Sequence, residues 1–438
     1  MTTSLRKKLC LALVLPVVAA LFMAGTPGPA QATPLHYNPT RGATFNNPYG
    51  GSVAAHKIVR KIVKTVDSVR TGHKIRIASW NFRSNAIANA LIRAHRRGVS
   101  VRVIMDYGNW NPDVSNQIAR RTHAALAQGD KHRSPSMTSW LKRCRGACRG
   151  HHGIAHTKFY VFDKVQKTKD VLIYGSANAT ELAATIQWND VYTVTGSEKK
   201  YNEFIKVFNQ MKHDRAVKQG FLHYQHGRMG LDFYPYRGAD TEKDPVLSVL
   251  NDVRCNGTTR HTGIRGHTKI RIAQTATYGD RGLALAKRLA TMQKRGCNIR
   301  LVYAMFGRKV LQVLRQAQVP LTHLAYDSDC NGIYDRYVHM KSMTISGVYA
   351  GNTHARYTWN GSANWTPVSL ASDEVVGILQ KGSATRKYSN WIDYLFTHVP
   401  ASWESQHCTT IGTITDRSVV TRARALKVDP YALIRKDL

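Results

Sequence analysis

Hydrophobic positions in the first half of the chain alternate between helical and strand spacing. A helical period predicts a helix whose buried face carries Val59, Ile62, Val63, Val66 and Val69. The run KIRIA at residues 74–78 predicts a buried strand. A second helical period, ending at Gly98, is followed by a predicted strand at 99–106, and residues 108–153 are expected to form a basic loop.

The second half repeats this order of elements. Val246, Leu247 and Leu250 begin a predicted helix, and residues 269–273 again read KIRIA. A helical period through Leu285, Leu289 and Met292 then leads to a predicted strand at 297–303. Helices alternating with strands in both halves indicate an α/β fold, with a linker near residues 212–230.

The N-terminal residues match a secretory signal. Arg6, Lys7 and Lys8 precede an apolar run at 9–24, and a small-residue cleavage pattern ends at Ala32. We therefore expect residues 1–32 to be a signal peptide and the mature protein to be secreted. A membrane anchor is the alternative, although the apolar run is short.

Charge and cysteine content add two constraints. The formal net charge of +36 predicts association with polyanions such as nucleic acid, anionic lipid or cell-wall polymer. Six cysteines follow the signal segment, an even number that suggests three disulfides in an exported protein. Fifteen pairings of six cysteines exist; the short spacing favours a local bridge between Cys144 and Cys148, and one arrangement of the others pairs Cys255 with Cys297 and Cys330 with Cys408.

A four-part polar pattern occurs once in each half. His156 and Lys158 form an H-x-K triplet, followed by G-S-A-N at 175–178 and a carboxylate at Asp190. In the second half the triplet of His339 and Lys341 precedes G-S-A-N at 361–364 and Glu374. The histidine lies 34 residues before the acid in one copy and 35 in the other. Such near-constant spacing indicates a duplicated site.

These motifs resemble those of the phospholipase D superfamily, H-x-K-x4-D followed by G-S-x-N. The first copy matches at His156, Lys158, Asp163, Ser176 and Asn178. The second matches at His339, Lys341, Ser362 and Asn364 but has Ser346 where the motif has its aspartate. The resemblance implies two similar lobes, 33–215 and 230–438, with mixed sheets flanked by helices. A pseudo-two-fold axis would relate them, with the active site between them.

The resemblance also implies a metal-free reaction, without a cofactor, at a phosphodiester. By analogy His156 would attack phosphorus and His339 would act as general acid and base; the reverse assignment stays open. Lys158, Lys341, Asn178 and Asn364 would hold the phosphoryl oxygens, and Ser176 and Ser362 would hydrogen-bond beside them. Asp163 would support the first motif, and Ser346 leaves its geometry or rate in question. Asp190 and Glu374 would orient the histidines.

Three other groups of residues are weaker candidates. Asp327, Asp329, Asn331 and Asp335 resemble the start of a calcium loop, but Val338 stands where a bidentate glutamate belongs, so a solvated turn is the preferred interpretation. His151 and His152 could contact substrate or simply lie on a loop. For four tryptophans near strand ends or motifs, core packing is the default: Trp80, Trp188, Trp359 and Trp365.

Together with the predicted signal peptide, the resemblance implies a secreted, monomeric phospholipase D-type phosphodiesterase acting on glycerophospholipids at a membrane surface. It would release phosphatidic acid and a headgroup alcohol. An extracellular nuclease of the same superfamily is the alternative, because the basic charge also suits a phosphate backbone. A non-catalytic binder of anionic polymers is a third possibility.

Overall fold

The computed structural model describes residues 35–236, 243–329 and 333–400, together with the backbone of 413–414. The predicted signal peptide and the predicted Cys330–Cys408 pair lie outside the described residues. Within the described ranges, every helix is too short or too polar to cross a bilayer.

Eleven α-helices occur in the described residues. The first six are α1 (Gly51–Ala55), α2 (Lys57–Asp67), α3 (Asn85–Arg96), α4 (Gln117–Ala127), α5 (Leu182–Thr185) and α6 (Glu198–Met211). The other five are α7 (Pro245–Asn251), α8 (Gly279–Lys294), α9 (Arg308–Gln316), α10 (Pro367–Ala371) and α11 (Gly382–Thr397). Side-chain caps fix several starts: Ser84 accepts the Ile87 amide at α3, and Asp244 accepts two amides at α7.

The strands fall into two sets along the chain. The first set is β1 (Gly42–Phe45), β2 (Lys74–Ser79), β3 (Phe82–Arg83), β4 (Ser100–Asp106), β5 (Trp140–Cys144), β6 (Lys158–Val165), β7 (Thr168–Gly175), β8 (Ala179–Thr180), β9 (Gln187–Trp188) and β10 (Asp190–Val194). The second set is β11 (Leu222–His226), β12 (Met229–Phe233), β13 (Val253–Arg254), β14 (Lys269–Thr277), β15 (Asn298–Gly307), β16 (Leu321–His323), β17 (Ala325–Tyr326), β18 (Arg336–Val338), β19 (Lys341–Tyr349), β20 (Asn352–Gly361), β21 (Val375–Leu379) and β22 (Thr413–Ile414).

Each half of the chain builds one large mixed sheet. The first sheet has the order β1-β10-β7-β6-β2-β4-β5, with β2, β4 and β5 parallel and the other neighbours antiparallel. The second has the order β11-β12-β21-β20-β19-β14-β15-β16, with β14, β15 and β16 parallel. The predicted α/β fold with two similar mixed sheets is therefore confirmed, whereas the lobe boundaries at 215 and 230 stay a prediction.

Matching registers show that the duplication extends to single residues. Lys74 of the first KIRIA run starts the pairing of β2 with β4, and Lys269 of the second starts that of β14 with β15. Five residues later, Ser79 lies opposite Lys158 and Gln274 lies opposite Lys341. Both H-x-K lysines thus lie opposite equivalent positions in the carboxyl-terminal half of the central parallel strand.

Three apolar clusters hold the sheets and helices together. One cluster packs α2, α3 and α4 on the first sheet, and another packs α7, α8 and α9 on the second. The third joins the two halves and includes buried faces of α6 and α11, for example Phe204 and Tyr388. Since this shared core contains residues from both sheets, the two halves meet over an apolar surface.

The expected basic loop at 108–153 contains regular structure, so that prediction is wrong. Asn116 caps α4, and Ala119, Thr122 and Leu126 bury one face of this helix. Residues 140–144 form β5, the edge strand parallel to β4. The segment is highly charged, and α4 buries only three side chains. Its hydrophobic pattern is therefore too short to indicate a helix from the sequence.

Two of the expected disulfides are present, Cys144–Cys148 and Cys255–Cys297. The first closes a turn after β5. The second joins the segment after β13 to the start of the strand predicted at 297–303, with a sequence separation of 42 residues.

We expect removal of the Cys255–Cys297 bridge, by Cys255→Ser with Cys297→Ser, to lower the free energy of unfolding by about 4 kcal/mol, since the bridge restricts a long loop in the unfolded chain. The matched variant, Cys144→Ser with Cys148→Ser, removes a bridge that closes a much shorter loop. It should lower the free energy of unfolding by about 2 kcal/mol. Urea unfolding of both variants checks this order, and equal losses would contradict it.

Candidate active site

The two polar motifs meet because equivalent strands end at one edge of each sheet. β6 and β19 begin at Lys158 and Lys341, and β7 and β20 end at Gly175 and Gly361. The H-x-K triplets therefore enter the sheets where the G-S-A-N segments leave them. An added Cβ at Gly175 would lie 2.3 Å from the Asp190 carbonyl oxygen, and one at Gly361 would clash likewise with Val375. Glycine is required there because the neighbouring strand is so close.

His156 is held by a carboxylate from the second half. Its Nδ1 lies 2.8 Å from Oε1 of Glu374, and its backbone amide donates to the Asp373 carbonyl at 3.1 Å. Ser362 donates to the other carboxylate oxygen of Glu374. All three side chains are buried. The Nδ1 contact fixes the orientation of the imidazole, with Nε2 on the side of the ring away from Glu374.

His339 is held in the same way from the first half, but by an amide. Its Nδ1 lies 2.9 Å from Oδ1 of Asn189, and its backbone amide donates to the Trp188 carbonyl at 2.9 Å. Ser176 also donates to Asn189 Oδ1, at 2.8 Å. The Asn189 Nδ2 donates to the Ala183 carbonyl at 3.0 Å, which fixes the amide with its oxygen towards His339.

Asp190 does not orient a histidine, so that prediction is wrong. Its Oδ2 accepts hydrogen bonds from Tyr388 at 2.7 Å and Asn360 at 3.0 Å, and burial raises the pKa of this carboxyl. Ser176 and Ser362 mark the true equivalence, since Asn189 follows the first serine by 13 residues and Glu374 follows the second by 12. Asp190, the nearest carboxylate, lies one residue beyond the position that is equivalent to Glu374.

Two lysines and two asparagines surround the histidines. Lys158 Nζ donates to the His156 carbonyl, and Lys341 Nζ donates to the His339 carbonyl at 2.7 Å. Asn178 is buried, and both polar atoms of its side chain lack a hydrogen-bond partner among the described residues, as does Oδ1 of Asn364. Buried amides without partners are costly, so these groups suit a phosphoryl group that would bond to them.

The motif aspartate lies away from this group. Asp163 accepts the Lys74 amide at 2.8 Å and contacts His73 Nδ1 at 3.2 Å, at the opposite end of β6. Five residues of strand separate it from Lys158, about 16 Å. Ser346 occupies the equivalent place opposite Lys269 and accepts the Gly263 amide at 3.3 Å. Both side chains accept backbone amides near the strand end that is remote from the histidines. The missing second aspartate therefore leaves the reaction centre intact.

Two further buried carboxylates fix the segment that leads to His156. Asp106 accepts the Ala155 amide at 3.0 Å, and Asp373 accepts the Cys148 amide. Burial raises the pKa of Asp106 to about 6 and that of Asp373 to about 7. Burial also raises the pKa of Glu374 to about 8, although Lys158 opposes the shift.

The remaining candidates have mixed positions. The Trp80 ring centroid lies 5.9 Å from that of His156, and Trp188 stacks on Tyr49, whereas Trp359 and Trp365 belong to the core of the second half. His151 and His152 are exposed. Carboxylate oxygens of Asp327, Asp329 and Asp335 lie within 4.8 Å of one another, Asn331 lies outside the described residues, and Val338 is buried in β18. Without the twelfth-position glutamate we assign no cation there.

Comparison with known proteins agrees with this geometry. Residues 64–212 match the family described as cardiolipin synthase, PLD-like domain. The structure is similar to phosphatidylserine synthase from Haemophilus influenzae Rd KW20, with 12% identity, a TM-score of 0.56, and coverage of 90% of this chain and 94% of that one. No curated protein sequence matches the chain.

Two further solved structures are similar. Polyphosphate kinase from Porphyromonas gingivalis has 11% identity and a TM-score of 0.50; the match covers 88% of this chain but only 55% of the kinase. Nuc, a phospholipase D family member from Salmonella typhimurium, has 21% identity and a TM-score of 0.28 over 40% of this chain and 98% of its own.

Residues 64–212 therefore carry a phospholipase D-like domain, in agreement with the resemblance of the two motifs. The family match covers the first motif, and the similarity to the synthase extends the fold over both halves.

Asp373→Asn should flatten the pH dependence of stability. A carboxyl whose pKa rises from 3.8 to about 7 on folding stabilises the fold fully below pH 3.8, and this contribution is lost as the pH rises towards 7. The variant should therefore reduce the fall in the free energy of unfolding between pH 4.5 and 7.5 by up to about 3 kcal/mol. Urea titrations at both pH values test this, and an unchanged slope would contradict it.

Proposed function

We propose that this protein hydrolyses phosphodiesters through a covalent phosphohistidine on His156, and that its substrates are glycerophospholipids. The observation that carries the proposal is the pair of buried histidines, each hydrogen-bonded at Nδ1, among two lysines and two asparagines with side-chain polar atoms that lack a partner among the described residues. Positive and amide groups of this kind offset the charge that repels a nucleophile from a phosphodiester.

The different partners of the two histidines support the assignment of roles. When Nε2 of His156 attacks phosphorus, the imidazole keeps its Nδ1 proton and is a cation until the N–P bond is hydrolysed, while the P–O bond to the alcohol breaks. Burial raises the pKa of Glu374, and a cation on His156 favours the ionised carboxylate, so the two charges stabilise each other once the N–P bond forms; a neutral amide stabilises a cation less strongly. His156 is therefore the better nucleophile.

His339 needs to gain and lose a proton rather than carry a lasting charge. Its Nε2–H gives a proton to the departing alcohol oxygen, and the neutral ring then removes a proton from water. The resulting hydroxide attacks phosphorus, breaks the N–P bond and releases the phosphomonoester. A neutral partner such as Asn189 suits this exchange, since general acids and bases work best when both protonation states are accessible.

Lipid as the substrate rests on two similarities. The description of the matching family names cardiolipin synthase, and one structure that matches over most of both chains is a phosphatidylserine synthase. Both names refer to enzymes of phospholipid chemistry. The net charge of +36 would also attract an anionic membrane surface. The products would be phosphatidic acid and a headgroup alcohol, released outside the cell if the signal peptide acts as predicted.

Nuclease activity is a second candidate, favoured by one surface next to the site. Arg143 lies 4.3 Å from the Trp110 ring centroid and 5.2 Å from that of Tyr107, and Arg145 also stacks on Tyr107. Tyr107 directly follows Asp106, which holds the amide before His156. Alternating cations and rings are typical of surfaces that bind single-stranded nucleic acid.

His156→Ala should abolish turnover, because no N–P bond can form, while His339→Ala should lower it by 100-fold or more through loss of the proton donor. Phosphatidylglycerol vesicles and plasmid DNA, each in EDTA, provide the two assays. Phosphatidic acid release without nicking supports the proposal, nicking alone would replace it by the nuclease, and silence on both would contradict both. Asp163→Asn, at the far strand end, is the matched control and should keep most activity.

Asn189→Asp should shift the alkaline limb of the kcat profile to higher pH by about one unit or more, because a carboxylate stabilises the protonated form of the general acid. Asp190→Asn changes the neighbouring buried residue, which contacts neither histidine, and should leave the limb in place. Profiles from pH 5 to 10 on the same substrate measure both. A shift in Asp190→Asn but not in Asn189→Asp would reverse our assignment of the positioning residue.

A further inference from the structure

A cavity of about 380 Å³ lies in the second half, between α7 and the second sheet. Its walls are mainly apolar and aromatic, and include Met343, Tyr349, Trp359, Trp365, Val249 and Ile378. The cavity lies within the usual size range of small-molecule sites, which are concave and mostly apolar with few polar groups.

The cavity directly adjoins the candidate active site. Lys341 lines it, and so does Ala363, which lies between Ser362 and Asn364 in the second G-S-A-N segment. Tyr234, another wall residue, donates its backbone amide to the carbonyl of Glu374 at 3.1 Å. A group bound in the cavity would therefore be close to a phosphate held by Lys341 and Asn364.

The wall formed by α7 is fixed relative to the same site. Asp244, which caps this helix, forms a buried ion pair with Arg281 at 2.6 Å. Arg281 in turn donates to the carbonyl of Asn364 at 2.9 Å and to that of Thr366 at 3.2 Å. Since these contacts connect helix and motif through a buried guanidinium, the cavity is a built feature of the site.

The corresponding position in the first half is filled by a large ring. Tyr160 stands two residues after Lys158, is fully buried, and donates its hydroxyl to the carbonyl of Ala177 at 3.3 Å. Met343 stands two residues after Lys341, beside the equivalent Ala363. The duplicated site is thus asymmetric, with a tyrosine ring in one half and a flexible thioether bordering open space in the other.

We propose that this cavity binds an acyl chain of the phospholipid whose phosphate lies at Lys341 and Asn364. The inference rests on the proposed function and assigns the chain-binding site within it. Burial of methylene groups against the aromatic wall stabilises the complex without requiring hydrogen bonds. The lining also includes polar groups. His223 pairs with Asp232 at 2.6 Å, and Ser248 is exposed.

The test uses monomeric diacyl phosphatidylglycerols with chains of four, six and eight carbons, and bis(p-nitrophenyl) phosphate as a diester without chains. For the wild type, kcat/KM should rise at least tenfold from four to eight carbons, since each buried methylene contributes about fourfold. Val249→Phe, which places a ring in the cavity, should remove most of this rise. Val313→Phe is the matched control, because Val313 is a half-buried valine on α9 outside the lining, and it should keep the rise.

The outcomes separate this inference from the proposed function. If the wild type cleaves the chainless diester but no phospholipid, the lipid function itself fails. If it cleaves phospholipids and Val249→Phe retains the full dependence on chain length, only the acyl site is overturned. If Val249→Phe instead lowers cleavage of single-stranded DNA, the cavity takes a nucleobase and the acyl proposal is wrong. Met343→Phe repeats the test from the sheet side, should one variant fail to fold.

Discussion

Each histidine of the site is oriented by a residue from the opposite half of the chain. Glu374 reaches His156 and Asn189 reaches His339, so neither imidazole would be fixed in an isolated half. The backbone repeats this exchange, since the amides of His156 and His339 donate to carbonyls of Asp373 and Trp188. The apolar core shared by the two halves, with α6 and α11, holds these crossed contacts in register. The site is therefore complete only when the two halves are packed together.

The duplication gives the site its geometry, and its departures from symmetry give the two histidines different chemistry. A carboxylate on one side and an amide on the other separate a residue that can bear a lasting charge from one that exchanges protons. The cavity beside Lys341, where the first half has Tyr160, is a second departure that distinguishes the two sides of a bound diester. Both differences lie within a few residues of the motifs.

Much of the fold and the site could be predicted from the chain, because the repeats carry both periodicity and spacing. The KIRIA runs became equivalent central strands, and the H-x-K and G-S-A-N residues came together at their carboxyl ends. Asn189 was missed because an amide was not expected where a carboxylate belongs. The spacing from the motif serine, 13 residues to Asn189 and 12 to Glu374, identifies the two equivalent positions, whereas the nearest acid does not. The regular structure within 108–153 could not be predicted because the segment is highly charged and α4 buries only three side chains.

Asp163 shows the limit of motif matching. The pattern groups Asp163 with His156 and Lys158. Each residue along a strand adds about 3.3 Å, however, so the five positions after Lys158 place Asp163 near the other end of β6. Membership of a motif therefore did not imply a place at the reaction centre. Three-dimensional pairing, which depends on strand direction and register, decided which polar residues meet.

The most direct test of the account is to trap the covalent intermediate and find the residue that carries it. Rapid acid-free quenching of the enzyme during turnover of phosphatidylglycerol, followed by proteolysis and mass spectrometry, would locate the phosphatidyl group. We predict an adduct on Nε2 of His156 in the wild type and none in His156→Ala. An adduct on His339, or none on either histidine while turnover proceeds, would contradict the roles that Glu374 and Asn189 are proposed to set.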